Sequence, residues 1–457
     1  MLRALLLIPT ASLIAVPLLT AEPLAPAGAA LPLGSIQDDE EAAASDEPVF
    51  ETQLAAKDHK KLAKFLQEFY EARQDGDEVE AREDLDSQIA RIEKRMDDFQ
   101  LVASPADLEQ IILQAISRKD NASKGRAKGF EIKERESAWG NAIPYAVHGP
   151  KSYKVSKGPY PLVLVIPPAG EEKLDVYLKD TWTDAALLEE AVVGVAGMPE
   201  DQEAWAEMGE PGQAGGVANV MQVMKRLTDT YYIDPNRIYL VGHEDGAAAA
   251  MHVASMFGDR FAGVATLGGD VDGTSATNFR NLPTMLAGGG SGATAFEDDV
   301  EGRGYGNCSR LGEYTLPDFW AWASPLTRAL MPGELFLSPA NQYGNKAYWL
   351  ELQGFDPNET PLVTCSVDRA TNTITLTGSG VTSALISFND RLVDLSQPVT
   401  VVLNGESQQH EIQRNLTYAL NTVFKTGDPG RVMVARMKYD FPLDQTGGEA
   451  ADTSAGE

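Results

Sequence analysis

The chain has 457 residues and a formal net charge of −29, with 43% hydrophobic and 23% charged residues. A chain of this length is expected to form two or three units, and its apolar fraction is that of a globular protein with a sizeable core. The acidic balance excludes nucleic acid and anionic membrane as preferred partners, because both bind through clustered lysine and arginine. It favours export from the cell, or neutral and cationic ligands.

The first residues have the pattern of a secretory signal. Arg3 precedes an apolar run over residues 4–19, and small residues suited to cleavage follow at 19–21 and 27–29. This run is shorter than the roughly 20 residues that a membrane-spanning helix needs, so no stable membrane insertion is expected. We predict a signal peptide over residues 1–29, a secreted or periplasmic protein, and a disordered acidic linker over residues 30–49.

Residues 50–125 are predicted to form a helical appendage. Apolar residues recur at helical spacing in the run that contains Leu62, Phe65, Leu66 and Phe69. Ser104 followed by Pro105 is typical of a helix start, with serine as the cap and proline at the first helical position. The appendage either packs on the rest of the protein or docks a partner.

Residues 126–340 alternate short apolar runs with helical patterns, which predicts a mostly parallel sheet with helices on both faces. The runs at 161–166, 191–196, 262–267, 283–287 and 334–337 are the strand candidates, and one helix is expected over 175–190. Residues 341–442 change to short alternating strands with an Asn404-Gly405 hairpin turn, so a small β-rich, sandwich-like domain is predicted there. Residues 443–457 are predicted to be an acidic disordered tail.

One motif in the α/β region suggests a family. A short apolar strand leads into Gly242-His243-Glu244-Asp245-Gly246 and then into small residues suited to a tightly packed helix. This is the layout of the nucleophile elbow, a sharp strand–turn–helix that raises one side chain above a sheet. With Asp259-Arg260-Phe261-Ala262 one helix later, it resembles the secreted esterases of the α/β-hydrolase superfamily, such as polyhydroxybutyrate depolymerases and feruloyl esterases. The resemblance covers residues 160–337 and implies an α/β-hydrolase-like fold.

The same motif departs from the chemistry of that family. Glu244 stands where those esterases carry the nucleophilic serine, and its carboxylate would repel the negative charge that acyl transfer develops. The resemblance also implies a histidine base after the last strand, and no histidine lies between Val253 and Gln409. The five histidines are His59, His148, His243, His252 and His410.

The loop that would form the oxyanion hole also departs from the family pattern. After the strand at 161–166 it carries Pro167 and Pro168, and proline has no N–H to donate. The remaining member of a triad, an acid, could be Asp298 or Asp299, although without a nucleophile and a base it would have nothing to orient. We therefore predict a protein that is inactive as a hydrolase and binds a ligand or a partner.

Three alternatives stay open at this stage. Dehalogenase and epoxide-hydrolase relatives use a carboxylate nucleophile at the elbow, although it is aspartate and they still need a histidine. The chain could instead be an active carboxylic-ester or peptide hydrolase with a non-standard constellation. It could also be a structural protein of the cell envelope.

Six carboxylates follow predicted strand ends, where ligands of open α/β sheets bind. They are Glu171, Glu172, Glu244, Asp245, Asp270 and Asp272. Together they could bind a cation or hydrogen-bond a saccharide, or each could simply cap a helix. The predicted partner is accordingly an unidentified small molecule, a saccharide or a protein.

No motif indicates a cofactor. The Gly-rich run at 288–294 lacks the Gly-Lys-Ser/Thr ending of a phosphate loop, so a flexible connector is expected there. Cys308 and Cys365 have no metal-site spacing, and in an oxidising compartment they could form one disulfide or remain two thiols. No metal site is predicted with these residues.

Overall fold

The structure is a computed structural model that describes residues 48–116, 129–136, 142–170, 173–198, 205, 215–341 and 343–442. The predicted signal peptide, nearly all of the predicted linker and the predicted acidic tail lie outside these residues. Within the described parts of the chain, no helix combines the length and the apolar character that crossing a membrane requires.

The helices and strands follow one another as a helical region, an α/β region and a β-rich region. The helices are α1 (Ala56–Asp75), α2 (Val79–Glu93), α3 (Pro105–Ile116), α4 (Leu174–Thr181), α5 (Ala185–Glu190), α6 (Gly216–Thr230), α7 (Gly246–Phe257), α8 (Ser291–Gly302), α9 (Leu316–Ala323) and α10 (Leu416–Thr426). The strands of the α/β region are β1 (Gly129–Glu136), β2 (Ala142–Gly149), β3 (Tyr160–Ile166), β4 (Val192–Ala196), β5 (Ile233–His243), β6 (Gly263–Leu267), β7 (Thr284–Ala287) and β8 (Cys308–Leu311). Those of the β-rich region are β9 (Glu334–Leu337), β10 (Lys346–Ala347), β11 (Leu350–Phe355), β12 (Leu362–Asp368), β13 (Thr373–Ser379), β14 (Val381–Phe388), β15 (Val399–Leu403), β16 (Glu406–His410) and β17 (Ala435–Asp440).

The α/β region is built on one eight-stranded sheet with the order β1-β2-β4-β3-β5-β6-β7-β8. The strands from β4 to β8 in this order pair in parallel, and β1 and β2 add an antiparallel edge. Every residue of β3 and β4 is buried, as expected for central strands covered on both faces. The predicted mostly parallel sheet is confirmed.

Alternate side chains of the central strands face two separate cores. Leu162 and Leu164 of β3 pack with side chains of α6, α7 and α8 on one face of the sheet. Val163 and Val165 point to the other face, where α4, α5 and α9 cover them. This period of two places helices on both faces of the sheet, as predicted.

The helical region packs on the β-rich region, because its apolar residues share one core with that region. The Tyr70 hydroxyl donates a hydrogen bond of 3.0 Å to the Leu420 carbonyl oxygen. Arg391 donates hydrogen bonds of 2.7 and 2.6 Å to the two carboxylate oxygens of Glu109. Of the two roles left open for the appendage, packing on the body is the one the structure shows.

The β-rich region has two sheets over that shared core, one with the order β10-β11-β14-β17 and one with the order β16-β15-β13-β12-β9. The predicted hairpin turn at Asn404-Gly405 joins β15 to β16, with left-handed φ angles of 46° and 89°. Strand β9 was expected among the α/β strands, and it instead pairs with β12. A four-residue apolar run shows that a strand forms but not which sheet it joins.

Two other expectations for the α/β region are corrected, and one strand was missed. The helix expected over 175–190 is two helices, with the buried Trp182 in the break between them. Strand β8 was not predicted, because its four residues are half-buried or exposed and include Ser309 and Arg310. The connector expected at 288–294 is a short glycine loop, since α8 begins directly at Ser291.

Buried charges join the α/β region to the β-rich region. Arg328 donates to both carboxylate oxygens of Asp428 at 2.8 and 2.5 Å, and Arg431 donates to the same carboxylate at 3.0 Å. Arg431 also pairs with Asp259, which accepts a 3.0 Å hydrogen bond from the Tyr348 amide. Asp259 belongs to the second block of the esterase resemblance, and here it helps to hold the two regions together.

Replacing Asp428 with asparagine is expected to destabilise the protein by about 3–5 kcal/mol, the usual cost of breaking a buried ion pair from one side. The reason is that Arg328 and Arg431 would stay buried without their shared carboxylate. Urea unfolding of the full chain measures the change. The matched control is Asp440→Asn, which removes an exposed pair with Lys438 and should change stability by less than about 1 kcal/mol. Equal, small effects of both substitutions would contradict the role given to Asp428.

Candidate functional site

The turn between β5 and α7 is a strained elbow, formed by residues Gly242 to Gly246. Glu244 has a φ of +48°, in the left-handed region that side chains other than glycine seldom adopt. Its amide donates to the Leu267 carbonyl oxygen at 3.0 Å, and its own carbonyl accepts from the Ala247 amide at 2.9 Å. The elbow therefore holds the Glu244 backbone above the sheet in the geometry predicted from the sequence.

Two glycines make this turn sterically possible. A Cβ added to Gly246 would lie 2.3 Å from the Ile166 carbonyl oxygen, at the end of β3. A Cβ added to Gly242 would lie 2.5 Å from the Gly246 carbonyl oxygen. Both distances are shorter than any carbon–oxygen contact allows, so α7 can approach the sheet this closely only with glycine at both positions.

The Glu244 side chain is exposed at the carboxyl edge of the sheet. A Cβ on Gly268, just after β6, would lie 3.7 Å from Glu244 Cγ. The same carboxylate acts on Tyr314. Burial raises the pKa of the Tyr314 phenol, and the negative charge of Glu244 raises it further. Tyr314 therefore stays protonated at neutral pH. We call the surface around Glu244, Gly268 and Tyr314 the elbow cleft.

His243, beside the elbow residue, is held between two tyrosines. Its Nδ1 is hydrogen-bonded to the Tyr177 hydroxyl at 2.9 Å and its Nε2 to the Tyr314 hydroxyl at 3.1 Å. Burial lowers the pKa of the imidazole, and the Glu244 carboxylate only partly opposes this shift. The ring is therefore neutral at pH 7. Neither nitrogen can take a proton from a nucleophile without losing its hydrogen bond to a tyrosine hydroxyl.

Tyr177 and Tyr314 were not predicted as site residues. Tyr314 follows β8, the last strand of the sheet, which is where the esterase resemblance places the histidine base. Recognising β8 in the sequence would have drawn attention to Tyr314. No sequence pattern indicates Tyr177, because it reaches His243 from α4, 66 residues away along the chain.

The other histidines do not supply a base to the elbow cleft. His59 bonds the buried Asp107 at 2.6 Å in the helical region. His148 packs on Phe130, and burial together with Lys151 lowers its pKa to about 4. His410, the last residue of β16, contacts Tyr439 in the β-rich region, and His252 lies on α7. Among the described residues, no histidine ring is hydrogen-bonded to a serine side chain.

At the end of β3, the Ile166 and Pro167 carbonyl oxygens pack against the start of α7, 2.3 and 2.8 Å from the Cβ position of Gly246. Pro167 and Pro168 have no N–H to donate towards the elbow. The candidate acids of a triad lie elsewhere, on α8. Asp299 accepts from the Ala276 amide at 2.8 Å and from Arg303 Nε at 2.8 Å, and Asp298 is exposed. Asp299 is therefore engaged in packing α8 on the preceding loop.

The acidic residues predicted as a ligand site are only partly described, because Glu171 and Glu172 lie outside the described residues. Glu244, Asp245 and Asp272 are exposed. Asp270 is half-buried and accepts from the Ala293 amide in the first turn of α8 at 3.2 Å, which is the capping role. In the described ranges, no three His, Cys, Asp or Glu side chains come together as a metal site.

The two cysteines are free thiols that lie in different sheets. Cys308 begins β8 of the eight-stranded sheet, and Cys365 lies in β12 of the β-rich region. Burial raises the pKa of the Cys308 thiol to about 11, so it stays protonated at neutral pH.

The sheet, the helices on both of its faces and the strained elbow after β5 define an α/β-hydrolase-like fold. The predicted α/β-hydrolase-like fold is confirmed. No protein-family model and no curated protein matches the chain.

Several solved structures are similar to it. One is a thermostable esterase (TM-score 0.37, 19% identity), which matches over 44% of this chain, and this chain spans only 63% of that esterase. Another is an S-formylglutathione hydrolase from Agrobacterium tumefaciens (TM-score 0.35, 15% identity, 44% of this chain and 97% of that one). A third is a ferulic acid esterase (TM-score 0.34, 11% identity, 43% of this chain and 93% of that one).

Changing Gly246 to alanine is expected to destabilise the protein by about 1–3 kcal/mol, the usual cost of forcing an atom into a packed core. The new Cβ would collide with the Ile166 carbonyl, and a backbone atom cannot move aside as a side chain can. Chemical denaturation of the full chain measures this.

The matched control for that substitution is Gly302→Ala at the end of α8. A Cβ there meets no atom within 4 Å, so stability should hold or rise by up to about 1 kcal/mol. If both alanine variants were as stable as the parent protein, the close approach at the elbow would be wrong.

Proposed function

We propose that this protein is an exported α/β-hydrolase-like protein that does not hydrolyse esters at its elbow and acts by binding a ligand or a partner. The observation that carries the proposal is the arrangement at the elbow. Glu244 takes the raised position of the nucleophile, and the neighbouring His243 is bonded on both ring nitrogens to tyrosines.

Electrostatics support the loss of acyl transfer. A tetrahedral intermediate carries a negative oxygen, which donors at the elbow must stabilise. Here the elbow itself carries the exposed Glu244 carboxylate, which would repel a negative oxygen. The loop that faces the elbow begins with Pro167 and Pro168, which have no N–H to donate.

The same groups favour a different ligand. Glu244, Asp245 and Asp272 present exposed carboxylates on the carboxyl side of the sheet, in a chain of net charge −29. Carboxylates accept hydrogen bonds from saccharide hydroxyls and attract cationic groups. The ligand of the elbow cleft is therefore a saccharide, a cationic small molecule or a basic surface of a protein partner. Export is supported by the signal-like first 29 residues.

One observation favours a second function, an ester or peptide hydrolase with a non-standard constellation. His243 does lie in the cleft, and it bonds a hydroxyl group, that of Tyr314. For Tyr314 to attack a substrate, however, its phenol would have to ionise near neutral pH. Burial and Glu244 both shift its pKa upward, which is the wrong direction for a nucleophile.

Hydrolysis assays separate the two functions. The full chain and its Glu244→Ser variant are expected to release no p-nitrophenol from short p-nitrophenyl esters above the buffer rate. Both should also fail to react with a fluorophosphonate probe, because a serine at the elbow would still have no free base. Turnover by the parent protein that Tyr314→Phe abolishes would overturn the proposal in favour of the second function.

Melting temperature gives a second readout with the same proteins. A panel of neutral oligosaccharides, polyamines and calcium should contain a compound that raises the melting temperature of the parent protein and not that of Glu244→Gln. Asp84→Asn, which removes an exposed carboxylate on α2, is the matched control and should respond like the parent. A panel without any such compound would count against ligand binding at the elbow cleft and leave a protein partner as its occupant.

A further inference from the structure

A cavity of about 410 Å³ lies where three regions of the chain meet. Its walls come from the end of α3, from α6 and the start of β5, and from the end of α10. We call it the junction cavity. Small-molecule sites commonly have volumes of about 300–1,000 Å³, so it is large enough for one small ligand.

The junction cavity is separate from the elbow cleft. It is lined by Ile233 and Ile238, in the amino-terminal half of β5, whereas Glu244 follows the carboxyl end of that strand. Glu244 lies six residue steps along the chain from Ile238, which corresponds to about 20 Å in an extended strand. A ligand in one site therefore does not touch the other.

About half of the wall is apolar. Leu113 comes from the helical region, Met224, Ile238 and Phe257 from the α/β region, and Phe424 from α10. Such a surface favours the hydrocarbon part of a ligand, since each buried CH₂ group contributes about 0.8 kcal/mol.

The charged residues of the lining are mainly positive. Four are cations and two are anions: Lys225, Arg260, Arg328, Lys425, Asp229 and Asp428. This local excess of positive charge stands out in a chain whose net charge is −29. It favours an anion inside the cavity.

Deeper in the same place, three guanidinium groups share two carboxylates. Asp428 accepts hydrogen bonds from Arg328 at 2.8 and 2.5 Å and from Arg431 at 3.0 Å. Asp259 accepts hydrogen bonds from Arg431 and from the Tyr348 amide. Among the described residues, Asp428 accepts four side-chain or backbone hydrogen bonds and Asp259 accepts two, and none of these comes from Arg260.

Arg260 takes part in this cluster only through a long ion pair with Asp428. Its closest carboxylate oxygen, on Asp428, lies 3.6 Å away, which is beyond hydrogen-bond distance. In the part of the chain that the structure describes, its guanidinium makes no hydrogen bond, and 23% of its side chain is exposed. Burial lowers the pKa of this group, Asp428 and Asp259 oppose the shift, and the positive charges of Arg431 and Arg328 add to it. A buried guanidinium in these surroundings is stabilised by an acceptor with a negative charge.

We propose that the junction cavity binds an organic anion with an apolar body, whose carboxylate or phosphate accepts hydrogen bonds from Arg260. The planar guanidinium offers two parallel N–H groups that match either headgroup. The apolar body lies against Met224, Phe257 and Phe424. Because this site is separate from the elbow cleft, the proposal stands or falls independently of whether the elbow is inactive.

Calorimetric titration of the full chain tests the proposal with three probes of equal chain length: octanoate, octyl phosphate and the uncharged 1-octanol. At least one anion should bind saturably, with one site per chain, and 1-octanol should bind about tenfold or more weakly, because it lacks the charged acceptor. Whether octanoate or octyl phosphate binds more tightly identifies the headgroup.

Arg260→Met should weaken the binding of the anion about tenfold or more and leave 1-octanol unchanged. The matched control is Arg303→Met, just after α8, where the arginine pairs with Asp299; this variant should bind like the parent protein. If Arg260→Met fails to fold, Met224→Trp provides a second variant that reduces the cavity volume and should weaken all three probes. Absence of saturable binding of both anions to the parent protein would overturn the proposal, as would equal anion binding by Arg260→Met.

Discussion

The close approach of α7 to the sheet is the constraint on which the rest of the site depends. Gly246 lies so near the Ile166 carbonyl that no side chain fits between them, and Gly242 meets the same helix from the strand side. The backbone can turn in this space only by placing residue 244 in the left-handed region. This steric requirement is independent of which side chain residue 244 carries, and so the elbow forms around a glutamate.

Chemistry, by contrast, depends on the side chains that the fold brings to the elbow. In this chain the raised position carries Glu244, and the loop after the last strand carries Tyr314. His243 lies between Tyr177 and Tyr314, where it is half-buried and neutral at pH 7. An α/β-hydrolase-like scaffold is thus combined with exposed carboxylates at the elbow. The junction cavity, at the other end of β5, is lined by four cations and two anions.

The sequence was sufficient for features that are encoded locally. The apolar run of β3 and the glycine spacing of the elbow each predict a structure from a few adjacent residues. Features that depend on distant residues were not predictable in this way. Strand β8 is short and polar because it lies at an edge, β9 joins its sheet through residues far along the chain, and the contact between Tyr314 and His243 spans 71 residues. The helix start at Ser291 was hidden by the glycines before it.

The state of the His243 ring is the most direct test of the claim that the elbow cleft has no working base. A titration of the imidazole nitrogens by ¹⁵N NMR in the intact protein would measure it. We expect a neutral ring at pH 7 and a pKa below the ordinary value of 6.5, because burial disfavours the charged form and Glu244 offsets this only in part. A pKa at or above about 7, the range in which a histidine serves as a general base, would contradict the account.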